Sequence, residues 1–220
     1  MSKKIICIIP ARENSKRIKK KNLKIFLNKP LVYWTLKFST KLKNVNKIIF
    51  TSDSNVVLSV AKPFKKIKKL LRPKKLANDK TLMKDVLLNA LSKKDKKNYA
   101  GILLLQPTTP FRNLKKFNRY LKNFKNKIGN YYSVSFKHKT NHKCYLEKKL
   151  FFFKKGKVCY QTGSLILISM KSFLKKKTLS INNSFPIVSD IQHENFDIDN
   201  IEDFNRAQKI LKKKLTKPFR

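Results

Sequence analysis

The sequence predicts an α/β protein built on one doubly wound, mainly parallel sheet with helices on both faces. Three observations point to it. Short apolar runs lack polar alternation, segments of helical period lie between them, and the first run ends in a basic loop. Runs without alternation bury both faces, as parallel strands between two helix layers do. A strand–helix–strand order with right-handed crossovers then gathers ligands at the carboxyl ends of the strands.

The first strand is Ile5 to Ile9, with Cys7 inside it as a small buried hydrophobe. It runs into ARENSKRIKKKN at 11–22, where backbone amides, one leading arginine and several lysines are set to receive phosphates; the expected ligand is a nucleoside triphosphate. Pro30 opens a helix carrying Leu31, Trp34, Thr35 and Phe38. Lys47 to Thr51 is the next strand, followed by a helix with Val56, Val57 and Val60 after Ser54. Asp53 between them either faces the site or caps the helix beginning near Asn55, and capping is the simpler reading. Leu82, Val86, Leu87 and Ala90 mark a helix after Asp79, and Ile102 to Leu105 a third buried strand. Tyr132 to Phe136 and Gly163 to Ile168 are further strands, and Asp199 to Leu211 begin the last helix. Residues 137–162 break the pattern and are expected to form a small excursion that packs on a partner subunit. With no repeats and no linker, residues 1–220 are expected to be a single domain.

With 220 residues, 41% of them hydrophobic, the chain can bury a proper core despite a formal charge of +42. That charge suggests a polyanionic partner. The lysines, however, run from Lys3 to Lys217 through every predicted element instead of forming one arm or recognition helix. A dedicated nucleic-acid surface is therefore disfavoured, although the field still draws anionic substrates inward. Cys7, Cys144 and Cys159 lack metal or redox spacing, and His138 with His142 lacks helical context and a third ligand. His193 beside Glu194 is a solvated pair. No apolar run reaches the length of a signal-peptide core or a membrane span, which leads to the expectation of a soluble cytoplasmic protein.

Neither a Walker-type loop nor a G-x-G-x-x-G fingerprint is present. Nucleotidyl transfer nevertheless needs little more than phosphates held in line and their charge neutralised. Arg12, at the strand's end, and Lys21 are the residues suited to this, whereas Lys19 and Lys20 read as solvated. Gln106 closes the third strand and delivers its amide to the same sheet edge; satisfying a turn backbone is its alternative role. Asp197 and Asp199 in F-D-I-D place two carboxylates on one side of an extended segment, with Phe196 and Ile198 toward the core. Such a pair suits Mg²⁺, which keeps waters and borrows phosphate oxygens. Asp199 with Glu202 also makes a capping box for the last helix, which explains Asp199 without a metal but leaves Asp197 unexplained.

The ordered blocks IIPARENSKRIKKKNL, KPLVYWTL, KIIFTSDS, LRPKKLANDKT, ILLLQPTTPFR, TGSLILI and FDIDNIEDFNRAQKIL resemble the acylneuraminate cytidylyltransferases over residues 5–211. Those enzymes make CMP-activated nonulosonic sugars such as sialic acid for cell-surface glycans. The resemblance implies a Rossmann-like three-layer domain that binds CTP and Mg²⁺, and a homodimer. It implies attack of an anionic keto-sugar acid's anomeric hydroxyl on the α-phosphate. It assigns Arg12, Ser15, Lys21 and Asn22 to triphosphate and ribose, with Lys16 in the same loop. Arg72, Asn78 and Asp79 go to the cytidine pocket, Gln106 to the sugar side, and Asp197 with Asp199 to the metal.

The chain departs from the family in two places. The phosphate loop lacks the usual glycine, for which Asn14 is expected to substitute because it tolerates a left-handed backbone; Glu13 must then turn away or bond a basic neighbour. The sugar side reads KKGKVCYQTG, without the arginine-glutamine motif, leaving Lys154, Lys155, Lys157 or Gln161 to hold the sugar carboxylate. Thr108 and Thr109 replace the acidic residue usual in ketodeoxyoctonate cytidylyltransferases, the nearest rival reading. A non-catalytic nucleotide- or nucleic-acid-binding protein is the rival of a different class.

Overall fold

Alternation inside the first strand shows how the sheet is covered. In β1 (Ile5–Pro10) every residue is buried: Ile5, Cys7 and Ile9 pack with Val32, Leu36 and Phe50, while Ile6 and Ile8 pack with Leu87, Ile166 and Phe173 on the other face. The computed structural model, which describes residues 4–124, 130–136, 150–152, 158–177, 179, 184–188 and 196–215, puts this strand in mid-sheet. Beside it lie β4 (Lys47–Ser52) and β6 (Gly101–Leu104), both parallel to it, and β5 (Ile67–Leu71) extends the sheet beyond β4. On the other side β9 (Val158–Ser169) runs antiparallel to β6, β7 (Asn130–Phe136) and β8 (Leu150–Phe152), and β10 (Ser184–Val188) pairs with β7 in parallel. The order is β10-β7-β9-β6-β1-β4-β5, with β8 on β9 and a separate hairpin of β2 (Ile25–Phe26) and β3 (Lys29–Pro30). A mainly parallel sheet with helices on both faces is the expected fold.

The expected helices are α1 (Leu31–Thr40), α2 (Asn55–Ser59), α3 (Met83–Ala90) and α7 (Ile201–Leu215). The structure adds α4 (Lys93–Asn98), α5 (Leu114–Asn123) and α6 (Met170–Lys176). In α4 the chain is almost wholly charged, and what defines it is a capping box of Ser92 and Asp95. In the stretch 137–162, residues 137–149 and 153–157 lie outside the described residues, as do His193 and Glu194, while 158–162 begin β9. No helix among the described residues is long and apolar enough to cross a membrane.

Two polar clusters hold the elements that carry the strand ends. Arg112, partly buried with its guanidinium enclosed, donates to Gln106 O (2.6 Å), Thr109 Oγ1 (2.8 Å), Thr35 Oγ1 (3.0 Å) and Ser164 O (3.2 Å), tying the end of β6 to α1 and β9. Desolvation lowers its pKa to about 10, so it stays charged at neutral pH. On the opposite edge of the sheet, the Asp95 carboxylate takes Lys47 Nζ at 2.6 Å and the backbone and hydroxyl of Ser92. Burial alone pushes the Asp95 carboxyl up, but the bonds from Lys47 and Ser92 outweigh it and hold it below its ordinary value.

Arg112→Met leaves two carbonyls without this donor and is expected to cost about 2–4 kcal/mol in urea unfolding. Because the folded pKa of Asp95 is depressed, its contribution is complete above the unfolded value of about 4 and is lost as pH falls through the folded value. Asp95→Asn should therefore lower stability by about 1–2 kcal/mol at pH 7 and flatten the acid limb of the melting temperature against pH.

Candidate active site

Beyond the carboxyl ends of β1, β5 and β6 lies a cavity of about 290 Å³, walled by Arg12, Ser15, Lys21 and Asn22, by Arg72, Asn78 and Asp79, and by Gln106 and Thr108. Three sequence-distant segments thus meet at one sheet edge. The loop after β1 keeps its shape through a buried anchor, Ile18, which packs with Phe26, Phe111 and Phe204. Asn22, itself buried, donates from Nδ2 to Arg12 O at 2.8 Å and so fastens the loop's two ends together. The left-handed residue is Lys20 (φ 49°), not Asn14 as expected. The turn closes later in the loop, where Leu23 and Lys24 donate to Lys20 O. Glu13 turns toward Lys20 Nζ (3.8 Å), as its position required.

Asp53 corrects a second expectation. Ser54 is the N-cap of α2, without a side-chain capping bond, and Asp53 instead accepts from Glu13 N (3.1 Å) and faces Arg72 Nη2 at 3.9 Å. It is the strut between the phosphate loop and Arg72. Arg72 is buried, its pKa is lowered by that burial, and its Nε has no hydrogen-bond partner among the described residues. Such a guanidinium on a cavity wall is a donor waiting for an acceptor.

Arg12 meets Asp79 at 2.8 Å and Lys16 meets the other oxygen of the same carboxylate at 3.1 Å. The bond from Lys16, reinforced by Arg12, holds the Asp79 carboxyl below the usual range. Lys16 stands outside the cavity and reaches it only through Asp79. Asn78 is occupied by its own turn, giving Nδ2 to Lys75 O and accepting at Oδ1 from Lys80 N and Thr81 Oγ1. Gln106 has its carbonyl held by Arg112, and its side chain lies against Gly163, where any Cβ would collide with Gln106 Oε1. Gly163 is therefore glycine for close approach, a reason that its local sequence does not reveal.

The acidic segment adjoins the cavity wall through one peptide, and neither Asp197 nor Asp199 lines the cavity itself. Ile198, fully buried, donates its N–H to Thr108 O (2.8 Å), and its carbonyl accepts from Lys21 Nζ (2.7 Å). Asp197 and Asp199 flank it, and both act on the charge of Lys21, whose pKa is lowered by burial and supported by the two carboxylates. The expected capping box of Asp199 and Glu202 is not formed. Asp203 Oδ2 instead accepts from the backbone N–H of Asp199 and Asn200, and Asn200 Oδ1 accepts from Asp203 N, so the cap sits one residue later. Asp199 is free of that duty and pairs with Arg17 at 3.2 Å. Asp197 Oδ1 is buried with no hydrogen-bond partner among the described residues. A buried, unpartnered carboxylate oxygen beside a second carboxylate fits a hard cation that completes its shell with water and phosphate oxygens.

Sequence reasoning overlooked Arg112 and Gly163, and for Asp53 it preferred the capping role to the one that faces the site. The first lay unremarked in the TTPFR block, where only the spread of its partners reveals its role.

A model of the family described as Cytidylyltransferase matches residues 6–216. Over 112 residues the chain is 38% identical to the N-acylneuraminate cytidylyltransferase of Escherichia coli O18:K1:H7, covering 51% of this chain and 26% of that protein. It is 32% identical over 111 residues to the CMP-N,N'-diacetyllegionaminic acid synthase of Legionella pneumophila, covering 50% of this chain and 48% of that one. The pseudaminic acid cytidylyltransferase of Campylobacter jejuni matches at 31% over 112 residues, again 50% and 48%. The chain thus spans about half the length of these relatives, or less. Among solved structures, CMP:2-keto-3-deoxy-manno-octonic acid synthetase complexed with CTP superimposes with a TM-score of 0.70 at 12% identity, covering 96% of this chain and 99% of that one. A 4-diphosphocytidyl-2C-methyl-D-erythritol synthase does so with a TM-score of 0.68 at 12% identity, covering 96% and 99%. These likenesses concern the fold, whereas the family model follows the sequence from β1 to the end of α7: the chain belongs to the cytidylyltransferase family.

Proposed function

We propose that the protein is a CTP-dependent cytidylyltransferase that activates an anionic nonulosonic acid, giving the CMP-sugar and pyrophosphate. The observation that carries this reading is the unpartnered Asp197 Oδ1, brought beside the basic loop by the clamp on Ile198. Arg12 and Lys21 would take the triphosphate charge, and Ser15 and the backbone amides of the loop would orient it. Arg72 would offer its free donor to the cytidine, in a wall shaped by Asn78. Asp197 and Asp199 would hold Mg²⁺, which when bound neutralises phosphate charge and lowers the pKa of a coordinated hydroxyl. The sugar's anomeric oxygen bonds to the α-phosphorus, the bond to the β-phosphate's bridging oxygen breaks, and the hydroxyl proton passes to solvent. Gln106, held at the end of β6, would orient the sugar.

The sugar class follows the relatives that match in sequence, whose names specify N-acylneuraminate, diacetyllegionaminic acid and pseudaminic acid. The ketodeoxyoctonate enzyme resembles this chain in fold at 12% identity, and that reading stands second. A homodimer acting in the cytoplasm, joined through residues 137–162, belongs to the same proposal. Sedimentation should give twice the 25.9 kDa chain mass.

Incubation with CTP, Mg²⁺ and a panel of keto-sugar acids should release pyrophosphate with at least one nonulosonate, and Asp197→Ala should reduce that release by about 10²-fold or more with an unchanged melting temperature. Undiminished turnover in Asp197→Ala would remove the metal assignment. Silence of the wild-type protein with every sugar acid would remove the reading.

A further inference from the structure

Several cations of the loop after β1 are already engaged by carboxylates. Asp79 takes Arg12 and Lys16, one oxygen to each at 2.8 and 3.1 Å, and Asp199 takes Arg17 at 3.2 Å. With 12 acidic residues against 54 Lys and Arg, most cations of this chain must do without a carboxylate, so two on one loop that share a single carboxylate need a reason. Shaping the wall is not that reason. The turn at 75–81 is closed by the carboxamide of Asn78 through Lys75 O, Lys80 N and Thr81 Oγ1, none of which involves the Asp79 side chain. Among the described residues the Arg12 guanidinium has one other hold, a long bond from Nη1 to Ala77 O at 3.4 Å. Asp79 itself lines the cavity. One anion joining two cations with two oxygens is also how a phosphate group joins them.

We propose that Asp79 is an internal stand-in for the polyphosphate, occupying Arg12 and Lys16 until a substrate phosphate displaces it. This rests on the reading of the site as a CTP site. A ligand that needs those cations binds only the fraction of molecules in which the bridge is open, so its apparent affinity is reduced by that fraction. Cytidine, which carries no phosphate, incurs no such penalty. After transfer the carboxylate recaptures the two cations in competition with pyrophosphate. Asp79 thus sets how tightly the site holds polyphosphate relative to nucleoside, and it keeps a strongly basic loop from retaining its product.

The test is calorimetric titration of the full chain, wild type, Asp79→Asn and Asp79→Ser, with CTP, inorganic tripolyphosphate and cytidine. Both variants should bind tripolyphosphate about two- to fivefold more tightly than wild type, and the cytidine titration separates this gain from any change in the nucleoside pocket that Asp79 also lines. Equal or weaker tripolyphosphate binding by both variants, with CTP still bound by wild type, overturns the stand-in role and leaves the functional reading intact. Failure of the wild-type protein to bind CTP overturns the reading and this inference with it.

Discussion

The peptide of Ile198 is held from both sides, by Thr108 O on its N–H and by Lys21 Nζ on its carbonyl, and the site depends on that hold. Lys21 and Ile198 are 177 residues apart in the chain. No single segment contains both the basic loop and the pair of carboxylates; they meet because the segment after β6 supplies a carbonyl at which the acidic segment docks. The buried Ile198 side chain packs with Ile18, the anchor of the basic loop, so the apolar cluster and the two hydrogen bonds enforce one register. A slip of one residue would expose Ile198 and bury an aspartate, at a cost of several kcal/mol.

Upstream of the clamp stands Arg112. Its fork fixes Gln106 O, and the same guanidinium reaches α1 and β9, so the end of β6 cannot shift without breaking bonds to two other elements. A lysine, a point charge on a flexible stem, has no equivalent geometry. The site is in this sense built outward from the sheet: a partly buried cation holds a strand end, the strand end holds an extended peptide, and that peptide holds two carboxylates beside a lysine. The chain's +42 charge contributes attraction for anions at long range. On the proposed reading, discrimination among anions would fall to the few cations whose positions are fixed by burial or by a carboxylate, Arg72, Arg12 and Lys21 among them.

Features written in local pattern were legible. An all-apolar run entering a basic loop reads as a central strand that opens on a cavity at its carboxyl end, and D-x-D flanked by Phe196 and Ile198 reads as an extended segment with one apolar side. Features set by partners far along the chain were not. The strand β5 carries Lys68 and Lys69, exposed at the sheet edge where lysines discourage further pairing, and this charge hides its strand character from periodicity. The helix α5 fully buries only Phe117 and Leu121, with Leu114 and Tyr120 partly covered, among six polar residues. Caps were misassigned at Asp53 and Asp199 because several acceptors lie within a residue or two of each helix start, and only geometry selects Asn200 with Asp203. The left-handed residue fell to Lys20 instead of Asn14 since the turn is fixed by Ile18 burying itself, not by the residue with the best intrinsic tolerance.

We propose that the basic loop and the Asp-x-Asp segment are two halves of one site joined by a metal-bearing triphosphate. Linkage tests it directly: the Kd for CTP is measured with and without Mg²⁺, in wild type and in Asp197→Ala. Mg²⁺ should tighten CTP binding in the wild-type protein, and this gain should disappear in the variant, whose metal-free affinity is kept or improved. The same Mg²⁺ effect in both proteins would contradict it.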